Sequence, residues 1–554
     1  MASAQAFRSP RLALVSIDLE ASSDWEDPIA DLVSFNYGLK KLEASVRACP
    51  ELVDVETRVI SLGTKEPEAF LAELEAFRPS IVALSLYVWS IGPLQELAAR
   101  IKAWDPEVRL IVGGPHARAS VFSLRPYQGL ARSVDAAVAG EGEQVLRDIV
   151  RLHQGEAWRE LAGLWLPGPL GWRSTGPLPR PELDAYPSPY QLGTAPHGAT
   201  GYLETFRGCP IHCSFCQWGE QASDRVHSAE YLRSHLIGMR ERAVPNVFVL
   251  DAAFNLSPRA FRALAEAERE VGVLRHTRVH GHLYPTLLTE EHVELLASFG
   301  HAQLSVGVQS LDPKVLARLG RPFDLARFHR VLDALRTRFE ITLELMLGLP
   351  GDDPASFRET FERTVSLADN VRVFKTLVLP DALLDRADVG MNIDFDPETF
   401  LLRSCTGWTA DTLRREFEHV ARVAEENHNA VVKEAWVGFH TYDARRDPSA
   451  FGERAVPDGA LDRLRHSLGM RAPGWHLRAI RGGDRGLWFE LETPGGEVVL
   501  EAVATVVGRP RFVEREGVSY SHRGALDRKY APGLVNVIDV VHHDAASLVA
   551  VRDA

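Results

Sequence analysis

Cysteine is scarce in this sequence, and its distribution is uneven. There are five cysteines in 554 residues, and three of them lie between residues 209 and 216. So few and so clustered cysteines do not form a disulfide framework. No run approaches 18 apolar residues, and the first residues lack the apolar segment of a secretory signal. These absences predict a protein of the reducing cytoplasm that does not contact the membrane.

Positive charge is also in deficit, since the formal net charge is −13. Nucleic-acid-binding surfaces are basic, so nucleic acid is not expected as a partner. The composition, 45% hydrophobic and 25% charged, is that of an ordinary globular protein. The length allows about two to four domains.

Residues 1–160 lack a GxGxxG dinucleotide fingerprint but alternate apolar and amphipathic runs. This alternation predicts βαβ units in an α/β, doubly wound parallel sheet. The predicted strands are 12–17, 53–60, 81–88, 110–112 and 136–139, and the predicted helices are 30–48, 67–77 and 93–104.

Three short segments follow predicted strands, where such sheets bind ligands. They are Ser85-Leu-Tyr-Val-Trp89, Gly113-Gly-Pro-His116 and Gly140-Glu-Gly-Glu143. Glycines there allow the backbone to approach a phosphate or a large planar ligand, although ordinary tight turns would use the same residues. The candidate ligand-binding residues are Ser85, Tyr87, Trp89, Gly113, Gly114, Pro115, Gly140, Glu141 and Gly142.

The clustered cysteines are Cys209, Cys213 and Cys216, spaced four and three apart. Thiolates suit zinc or iron–sulfur clusters. A closed zinc site needs four ligands, and His212 is available as the fourth. Three thiolates on a four-iron cluster would instead leave one iron open for a small molecule.

The CxxxCxΦC pattern, with Phe215 before the third cysteine, resembles the signature of the radical S-adenosylmethionine (SAM) enzymes. The resemblance implies that Cys209, Cys213 and Cys216 hold a [4Fe–4S] cluster whose fourth iron is chelated by SAM. The three glycine-containing segments, in this order upstream of the motif, resemble the cobalamin-binding domain of B12-dependent members. The sequence after the first strand, 18–27, has no histidine, which implies that cobalamin is not His-ligated there. Tyr87 or Trp89 could cover its lower face, or both could be core aromatics.

Residues 161–195 are rich in Pro and Gly and are predicted to be an interdomain linker. Residues 196–395 contain six predicted strands, each but the last followed by a helix. Together with the motif this resembles the partial (β/α)6 barrel of radical SAM enzymes, whose chemistry lies at the carboxyl ends of the strands. The predicted strands are 202–206, 247–250, 278–282, 303–308, 341–347 and 371–379.

Four residues of this barrel are candidates for SAM binding. Asp251 follows the second strand. The equally weighted alternative for this stretch is that a nearby residue caps the next helix. Gln309, Arg321 and Glu344 fall in runs that resemble the oxygen-independent coproporphyrinogen oxidase branch, where the matching positions contact SAM. The alternatives are a surface charge for Arg321 and a barrel ion pair for Glu344. His282 and Tyr284 are candidates for lining the active site.

Residues 396–554 predict a mixed α/β domain that binds substrate or closes the barrel. Helices are expected at 410–426 and 458–467, strands at 486–492, 498–507 and 534–540, and a hairpin turn at 494–496. Four residues are candidates for lining a substrate pocket or for packing in the core: Trp408, Trp436, His440 and Tyr442. Cys405 is predicted to be a thiol without a role in the site.

The resemblance implies a cobalamin-dependent radical SAM methyltransferase acting on a carbon of a natural product or peptide. It also implies an electron donor such as flavodoxin or ferredoxin. Oxidation, cyclisation or ring rearrangement with the same cofactors is the first alternative, and a non-catalytic zinc protein is the second.

Overall fold

The computed structural model describes residues 10–18, 35–169, 171–220, 225–299, 301–336, 339–368, 370–426, 430–441, 476–482, 486–492, 498–505 and 510–513. Within these residues it contains two large sheets with helices packed on them, and a smaller sheet near the carboxyl end. No helix in these ranges is both long and apolar enough to cross a bilayer.

The first sheet has seven strands: β1 Arg11–Ser16, β2 Glu56–Ser61, β3 Ile81–Ser85, β4 Arg109–Gly113, β5 Ala136–Val138, β6 Leu164–Gly168 and β7 Gly171–Ser174. Their spatial order is β2-β1-β3-β4-β5-β6-β7, and β1 to β5 are parallel. The connecting helices are α1 Tyr37–Arg47, α2 Pro67–Phe77, α3 Ile91–Trp104, α4 Ala119–Ser123 and α5 Glu143–Arg151. This is the flavodoxin-type order of a doubly wound sheet, whose switch point lies between β1 and β3. The predicted doubly wound domain is confirmed.

Strand β1 shows why the sheet is covered on both faces. Successive side chains of a strand point to opposite faces. Leu12 and Leu14 join one buried cluster, while Ala13 and Val15 join another. Because both faces are buried, the strand is a continuous apolar run without alternation.

The segment predicted to be a linker contains regular structure, and this part of the prediction is wrong. Strands β6 and β7 form an antiparallel hairpin that adds to the edge of the first sheet. Leu164 and Leu166 are buried in its core. Pro and Gly are tolerated in edge strands, so a Pro/Gly-rich composition does not exclude a strand here. The domain boundaries themselves stay a prediction.

The second sheet contains the six predicted strands of the barrel: β8 Gly201–Leu203, β11 Asn246–Val249, β12 Arg278–Leu283, β13 His301–Gln309, β14 Glu340–Leu347 and β15 Asn370–Lys375. The short strands β9 Phe206–Arg207 and β10 Arg225–Val226 pair with each other beside it. The six strands are parallel and follow the chain order across the sheet, which does not close. The helices of this unit are α6 Ala229–Glu241, α7 Pro258–Val271, α8 Glu290–Ser298, α9 Pro313–Arg318, α10 Leu325–Arg336 and α11 Pro354–Leu367. The predicted partial (β/α)6 barrel is confirmed.

The second sheet continues beyond the predicted boundary at 395. After α12 Leu383–Arg386, the hairpin β16 Asp394–Phe395 and β17 Leu402–Ser404, and α13 Ala410–Glu426, the strands β18 Val431–Val432 and β19 Trp436–His440 extend its edge. Strand β19 runs antiparallel to β15.

The small sheet is antiparallel and consists of β20 His476–Gly482, β21 Gly486–Glu492, β22 Val498–Thr505 and β23 Pro510–Val513. The expected helix 458–467, turn 494–496 and strand 534–540 lie outside the described residues.

A segment after β15 returns to the first unit. Phe400 is completely buried in the core of the first sheet and lies against Tyr127, with ring centroids 6.0 Å apart. The Tyr127 hydroxyl donates to the Glu398 carbonyl at 2.9 Å. Arg118 and Asp381 form an ion pair across the same boundary. The two units are therefore packed together through this segment.

Candidate cofactor site

The three motif cysteines lie in one loop after β9. Cys209 and Cys213 are 8% and 3% exposed, and Cys216 is partly buried. The Cys216 N–H donates to the Cys213 carbonyl at 3.1 Å, and the Ser214 N–H donates to the Leu319 carbonyl at 2.9 Å. Burial, together with the neighbouring thiols, raises the pKa of Cys209 to about 11. Three thiols this close require a positive centre to become thiolates, which an iron–sulfur cluster provides.

The same loop does not form a mononuclear site. In the described ranges, no three His, Cys, Asp or Glu side chains converge on a point that could hold a single metal ion. His212 instead donates from Nδ1 to the Gly219 carbonyl at 2.7 Å. Three thiolates suffice for a four-iron cluster with one open iron, whereas a closed zinc site needs a fourth ligand.

Gln309 and Arg321 converge on Gly307 next to this loop. The Arg321 Nη1 lies 3.8 Å from the Cys213 Sγ, its other terminal nitrogen donates to the Gly307 carbonyl, and the guanidinium lies 4.8 Å from the Tyr284 ring centroid. A Cβ on Gly307 would lie 2.6 Å from the Gln309 Nε2, so a larger residue would displace the Gln309 amide. Gln309 has φ of 68° at a shift of register between β13 and β14. Strained backbone of this kind is frequent at ligand sites.

Glu344 lies in a belt of polar side chains across the barrel. The His282 Nε2 is 3.5 Å from one carboxylate oxygen and the Arg372 Nη1 is 3.8 Å from the other. Burial alone would raise the pKa of Glu344, but His282 and then Arg372 outweigh it and lower that pKa. Burial would lower the pKa of His282, but Glu344 outweighs it and raises that pKa. Glu344 therefore takes part in an ion pair inside the barrel, and its contact with SAM stays a prediction.

Asp251 supports the chain segment that enters the cysteine loop. Its carboxylate accepts from the Thr205 N–H at 2.8 Å, the Thr205 hydroxyl at 2.5 Å and the Phe206 N–H at 3.4 Å. Burial raises the pKa of Asp251 to about 7 in spite of these bonds. The nearby cap is Ser257, whose side chain accepts from the Ala260 N–H at the start of α7. The contact of Asp251 with SAM stays a prediction. Phe215, which is also predicted to contact a cofactor, is buried in the barrel core, and that contact stays a prediction.

Tyr87 and Trp89 lie at the switch point of the first sheet. Their rings stack with centroids 4.7 Å apart and 12° between planes, and the Trp89 Nε1 donates to the Ile17 carbonyl at 3.2 Å. Burial raises the pKa of Tyr87, while hydrogen bonds with Ser85 and Asn36 oppose this. Both rings are partly exposed, so the pair presents a flat surface at the position where doubly wound sheets bind ligands.

The end of β1 holds an aspartate where many cobalamin proteins continue to a histidine. Asp18 accepts from the Ser16 hydroxyl and the Asn36 amide, both at 2.8 Å, and also from the Ser61 hydroxyl. Residues 19–34, which include most of the segment without histidine, lie outside the described residues.

The turn at Gly113, Gly114 and Pro115 packs directly on the end of β3. Gly114 has φ of 92°, and a Cβ there would lie 2.7 Å from the Leu86 carbonyl oxygen. Only glycine permits this close approach of backbone to backbone. His116, at the end of the turn, is 2% exposed with its ring edge-on to Phe400.

The turn at Gly140, Glu141 and Gly142 faces the barrel. Gly140 has φ of 118°. The Glu141 carboxylate pairs with Arg207 at 2.8 Å and also with Arg225. In this structure that side chain therefore contacts the barrel unit, and its predicted contact with cobalamin stays a prediction.

The carboxyl-terminal candidates include clear packing roles. Trp408 is 2% exposed and donates from Nε1 to the Leu349 carbonyl at 3.2 Å. Trp436 lies beside Phe374, with ring centroids 6.2 Å apart. His440 pairs through its backbone with β15, and Tyr442 lies outside the described residues. Burial raises the pKa of Cys405 to about 12, as expected of a spare thiol.

Several contacts around the cysteine loop involve residues that the sequence did not single out. The Gln217 Nε2 lies 2.9 Å from the Pro380 carbonyl and 3.5 Å from the Pro115 carbonyl. Arg386 donates to the Cys213 carbonyl at 3.3 Å. Arg207, two residues before the first motif cysteine, pairs with Glu141. The signal available in the sequence was the concentration of charge next to motif residues.

Comparison with known proteins agrees with this geometry. A family model described as the radical SAM superfamily matches residues 203–364, and one described as the B12 binding domain matches residues 32–150. The chain therefore combines a region that matches the radical SAM superfamily with a region that matches the B12 binding domain. These two domains imply a [4Fe–4S] cluster, SAM and cobalamin, and the cysteine loop and the glycine turns fit those groups.

Two curated relatives cover part of the chain. A 2-(S-pantetheinyl)-carbapenam-3-carboxylate methyltransferase of Streptantibioticus cattleyicolor is 28% identical over 65% of this chain and 55% of its own length. The cobalamin-dependent radical SAM methyltransferase TokK of Streptomyces tokunonensis is 29% identical over 55% of this chain and 48% of its own length. The chain thus spans about half the length of these relatives.

A solved structure shares the fold. The radical SAM methyltransferase TsrM of Kitasatospora setae, with cobalamin and a [4Fe–4S] cluster bound, superposes with a TM-score of 0.56 at 16% identity. The match covers 74% of this chain and 91% of that one.

Proposed function

We propose that this protein is a cobalamin-dependent radical SAM methyltransferase that methylates a carbon of a small-molecule or peptide natural product. The observation that carries the proposal is the junction at Gln217. This residue follows the last motif cysteine and reaches both the Pro115 carbonyl of the first sheet and the Pro380 carbonyl after the barrel. The turn assigned to cobalamin and the loop assigned to the cluster are therefore neighbours.

When bound, the three cofactors supply reductive cleavage of SAM and a methyl group carried on cobalt. The chain's contribution is to bind and orient them. Cys209, Cys213 and Cys216 hold the cluster, while Arg321 offers a planar fork for the methionine carboxylate. Gln309 supplies amide hydrogen bonds to the same ligand.

The first sheet contributes backbone and flat surface. Gly114 lets its turn pack on the Leu86 backbone, and Gly140, with φ of 118°, shapes the neighbouring turn, so that both turns lie at the ligand-binding edge of the sheet. Tyr87 and Trp89 would offer their stacked, partly exposed rings to a bound corrin, without a histidine ligand from this segment. Covering the corrin with an aromatic pair would exclude water from the covered face.

The relatives support small-molecule substrates, because both are named as methyltransferases and one name specifies a carbapenam. An electron donor such as flavodoxin or ferredoxin supplies the reducing equivalent. The cluster requires a reducing compartment, which favours the cytoplasm, and nucleic acid is not a partner.

The test is anaerobic purification and reconstitution, followed by iron, sulfide, cobalt and zinc analysis. The protein is then incubated with dithionite and SAM that carries a ¹³C methyl group. We expect iron, sulfide and cobalt, release of 5′-deoxyadenosine or S-adenosylhomocysteine, and the label in the extracted cobalamin. Zinc in place of iron, or absence of cobalt after reconstitution, would overturn the proposal.

A further inference from the structure

Arg207 joins the two units at a point directly before the cysteine loop. It lies in β9, two residues before Cys209. Its Nη1 is 2.8 Å from the Glu141 carboxylate and its Nη2 is 2.5 Å from the Glu143 carboxylate. Both glutamates belong to the Gly-Glu-Gly-Glu turn after β5 of the first sheet. One guanidinium thus holds the end of a strand of the cobalamin-binding domain.

The third partner of Arg207 comes from its own unit. The Arg207 Nε lies 2.8 Å from Glu204, and Nη2 lies 3.1 Å from the other oxygen of that carboxylate. The Arg207 and Glu204 side chains are each 16% exposed, and those of Glu141 and Glu143 are 11% and 7% exposed. A planar guanidinium has fixed donor directions, and here three carboxylates occupy them. The contact therefore sets orientation as well as distance between the two units.

The charges of this group are balanced, which allows it to be buried. Arg225 pairs with Glu141, and buried Lys41 donates to the Tyr231 hydroxyl at 2.5 Å beside the same group. The cations Arg207, Arg225 and Lys41 accompany the anions Glu141, Glu143 and Glu204, and a fourth carboxylate, Asp184, lies 2.7 Å from the His227 Nδ1, whose Nε2 lies 3.8 Å from Glu204. Removing one member of such a set leaves an uncompensated buried charge.

We propose that Arg207 is a positioning residue that fixes the Gly140–Glu143 turn against the cysteine loop and so sets the placement of cobalamin relative to the cluster and SAM. This inference rests on the proposed function. The proposal gives Glu141 the same positioning role, in place of a direct contact with cobalamin. The exposed pairs of this chain differ in burial: Arg100 also meets two carboxylates, Glu96 at 2.6 Å and Glu68 at 2.7 Å, but its side chain is 38% exposed and its charges are solvated.

The experiment compares the reconstituted wild type with Arg207→Lys, Arg207→Met and Glu141→Gln. Arg100→Met is the matched control, since it removes an arginine from an exposed pair. Each protein is analysed for iron and cobalt. The magnetic interaction between Co(II) and the reduced cluster is then measured by electron paramagnetic resonance, and the rate of methyl transfer from ¹³C-methyl SAM to cobalamin is measured by mass spectrometry.

We expect the Arg207 and Glu141 variants to keep iron and cobalt at wild-type stoichiometry. We expect a changed magnetic interaction and at least about a tenfold slower methyl transfer, a factor equal to about 1.4 kcal/mol. Arg207→Lys should retain part of the rate, since it keeps the charge but not the fork. Arg100→Met should match the wild type.

Two outcomes would overturn the inference. One is an unchanged magnetic interaction and rate in both Arg207→Met and Glu141→Gln. The other is loss of iron or cobalt from Arg207→Lys and Glu141→Gln, which would make the group a part of general stability. A wild type without iron or cobalt would instead refute the proposed function, so the two failures are distinguishable.

Discussion

The carboxyl ends of the two large sheets present different kinds of surface. In the first sheet, Gly114 brings backbone against backbone and Tyr87 and Trp89 form a flat, partly exposed pair. In the second sheet, buried polar side chains converge, with Arg321 beside Cys213 and Glu344 between His282 and Arg372. The first end presents closely packed backbone and flat aromatic rings, and the second presents charged and polar side chains.

This difference follows from the ligands that the two ends are proposed to bind. A macrocycle is large and mostly apolar, so it needs room and flat contacts. SAM carries a carboxylate and an amino group, so it needs directed donors and acceptors. Changes to one end should therefore leave the other end's cofactor in place.

The largest effect is expected from Cys213→Ala. Removing one of three thiolates should abolish cluster binding and SAM cleavage, while cobalamin binding to the first sheet stays at the wild-type level. Iron and cobalt analysis and an assay for 5′-deoxyadenosine check this. Cys405→Ala is the control, because that thiol is buried away from the loop. Loss of both metals in Cys213→Ala would contradict the separation of the two ends.

Gly114→Ala tests the first sheet. The new Cβ would lie 2.7 Å from the Leu86 carbonyl oxygen at φ of 92°, so we expect unfolding to become easier by about 1–3 kcal/mol. Cobalt content should fall and iron content should not, as measured by metal analysis and thermal unfolding. In the same unit, Gly92→Ala adds a Cβ with nothing within 4 Å and serves as the control. A cobalt content equal to the wild type would sink the close-approach explanation.

Arg321→Lys tests the second sheet. Lysine keeps the charge but loses the planar fork, so the KM for SAM should rise roughly tenfold to a hundredfold, as expected for a lost hydrogen bond to a charged group. The measurement is the rate of 5′-deoxyadenosine release against SAM concentration. The exposed Arg330, changed to Lys, is the control. An unchanged KM would remove Arg321 from the SAM site.

The smallest effect is expected from Glu344→Gln on His282. Glu344 raises the pKa of His282, so its removal should lower that pKa in a histidine NMR titration. The contribution of His282 to folding stability is present below its ordinary pKa and is lost as pH rises through its raised pKa. That of Glu344 is present above its ordinary pKa and is lost as pH falls through its lowered pKa.

The wild type should therefore exceed Glu344→Gln in stability most between the ordinary pKa of Glu344 and the ordinary pKa of His282. The difference should stay below about 1 kcal/mol, because the His282 side chain is 40% exposed. Thermal unfolding across this pH range measures it. A pKa of His282 that does not move would show that the pair is not coupled.

Much of the fold could be predicted because it depends on local pattern. The predicted helices 67–77 and 410–426 and the strand 486–492 match their observed bounds. Buried parallel strands such as β3 are continuous apolar runs that a reader of the sequence can find. The hairpin β6–β7 could not be found in this way, because it contains Pro and Gly, which are tolerated at the edge of a sheet.

The candidate site divides in the same manner. By itself, the sequence determined the cysteine loop, the glycine turns and the order of the strands, because spacing along the chain is enough to define them. Only the tertiary structure brought Arg207 to Glu141 and Glu143, Gln217 to Pro115, and Arg321 to Cys213. These partners lie far apart in sequence, and a charge gives no sign in the sequence of which opposite charge it will meet. The contacts of Arg207 and Gln217 follow from the packing of one unit against the other, and that of Arg321 follows from the fold of the barrel unit itself.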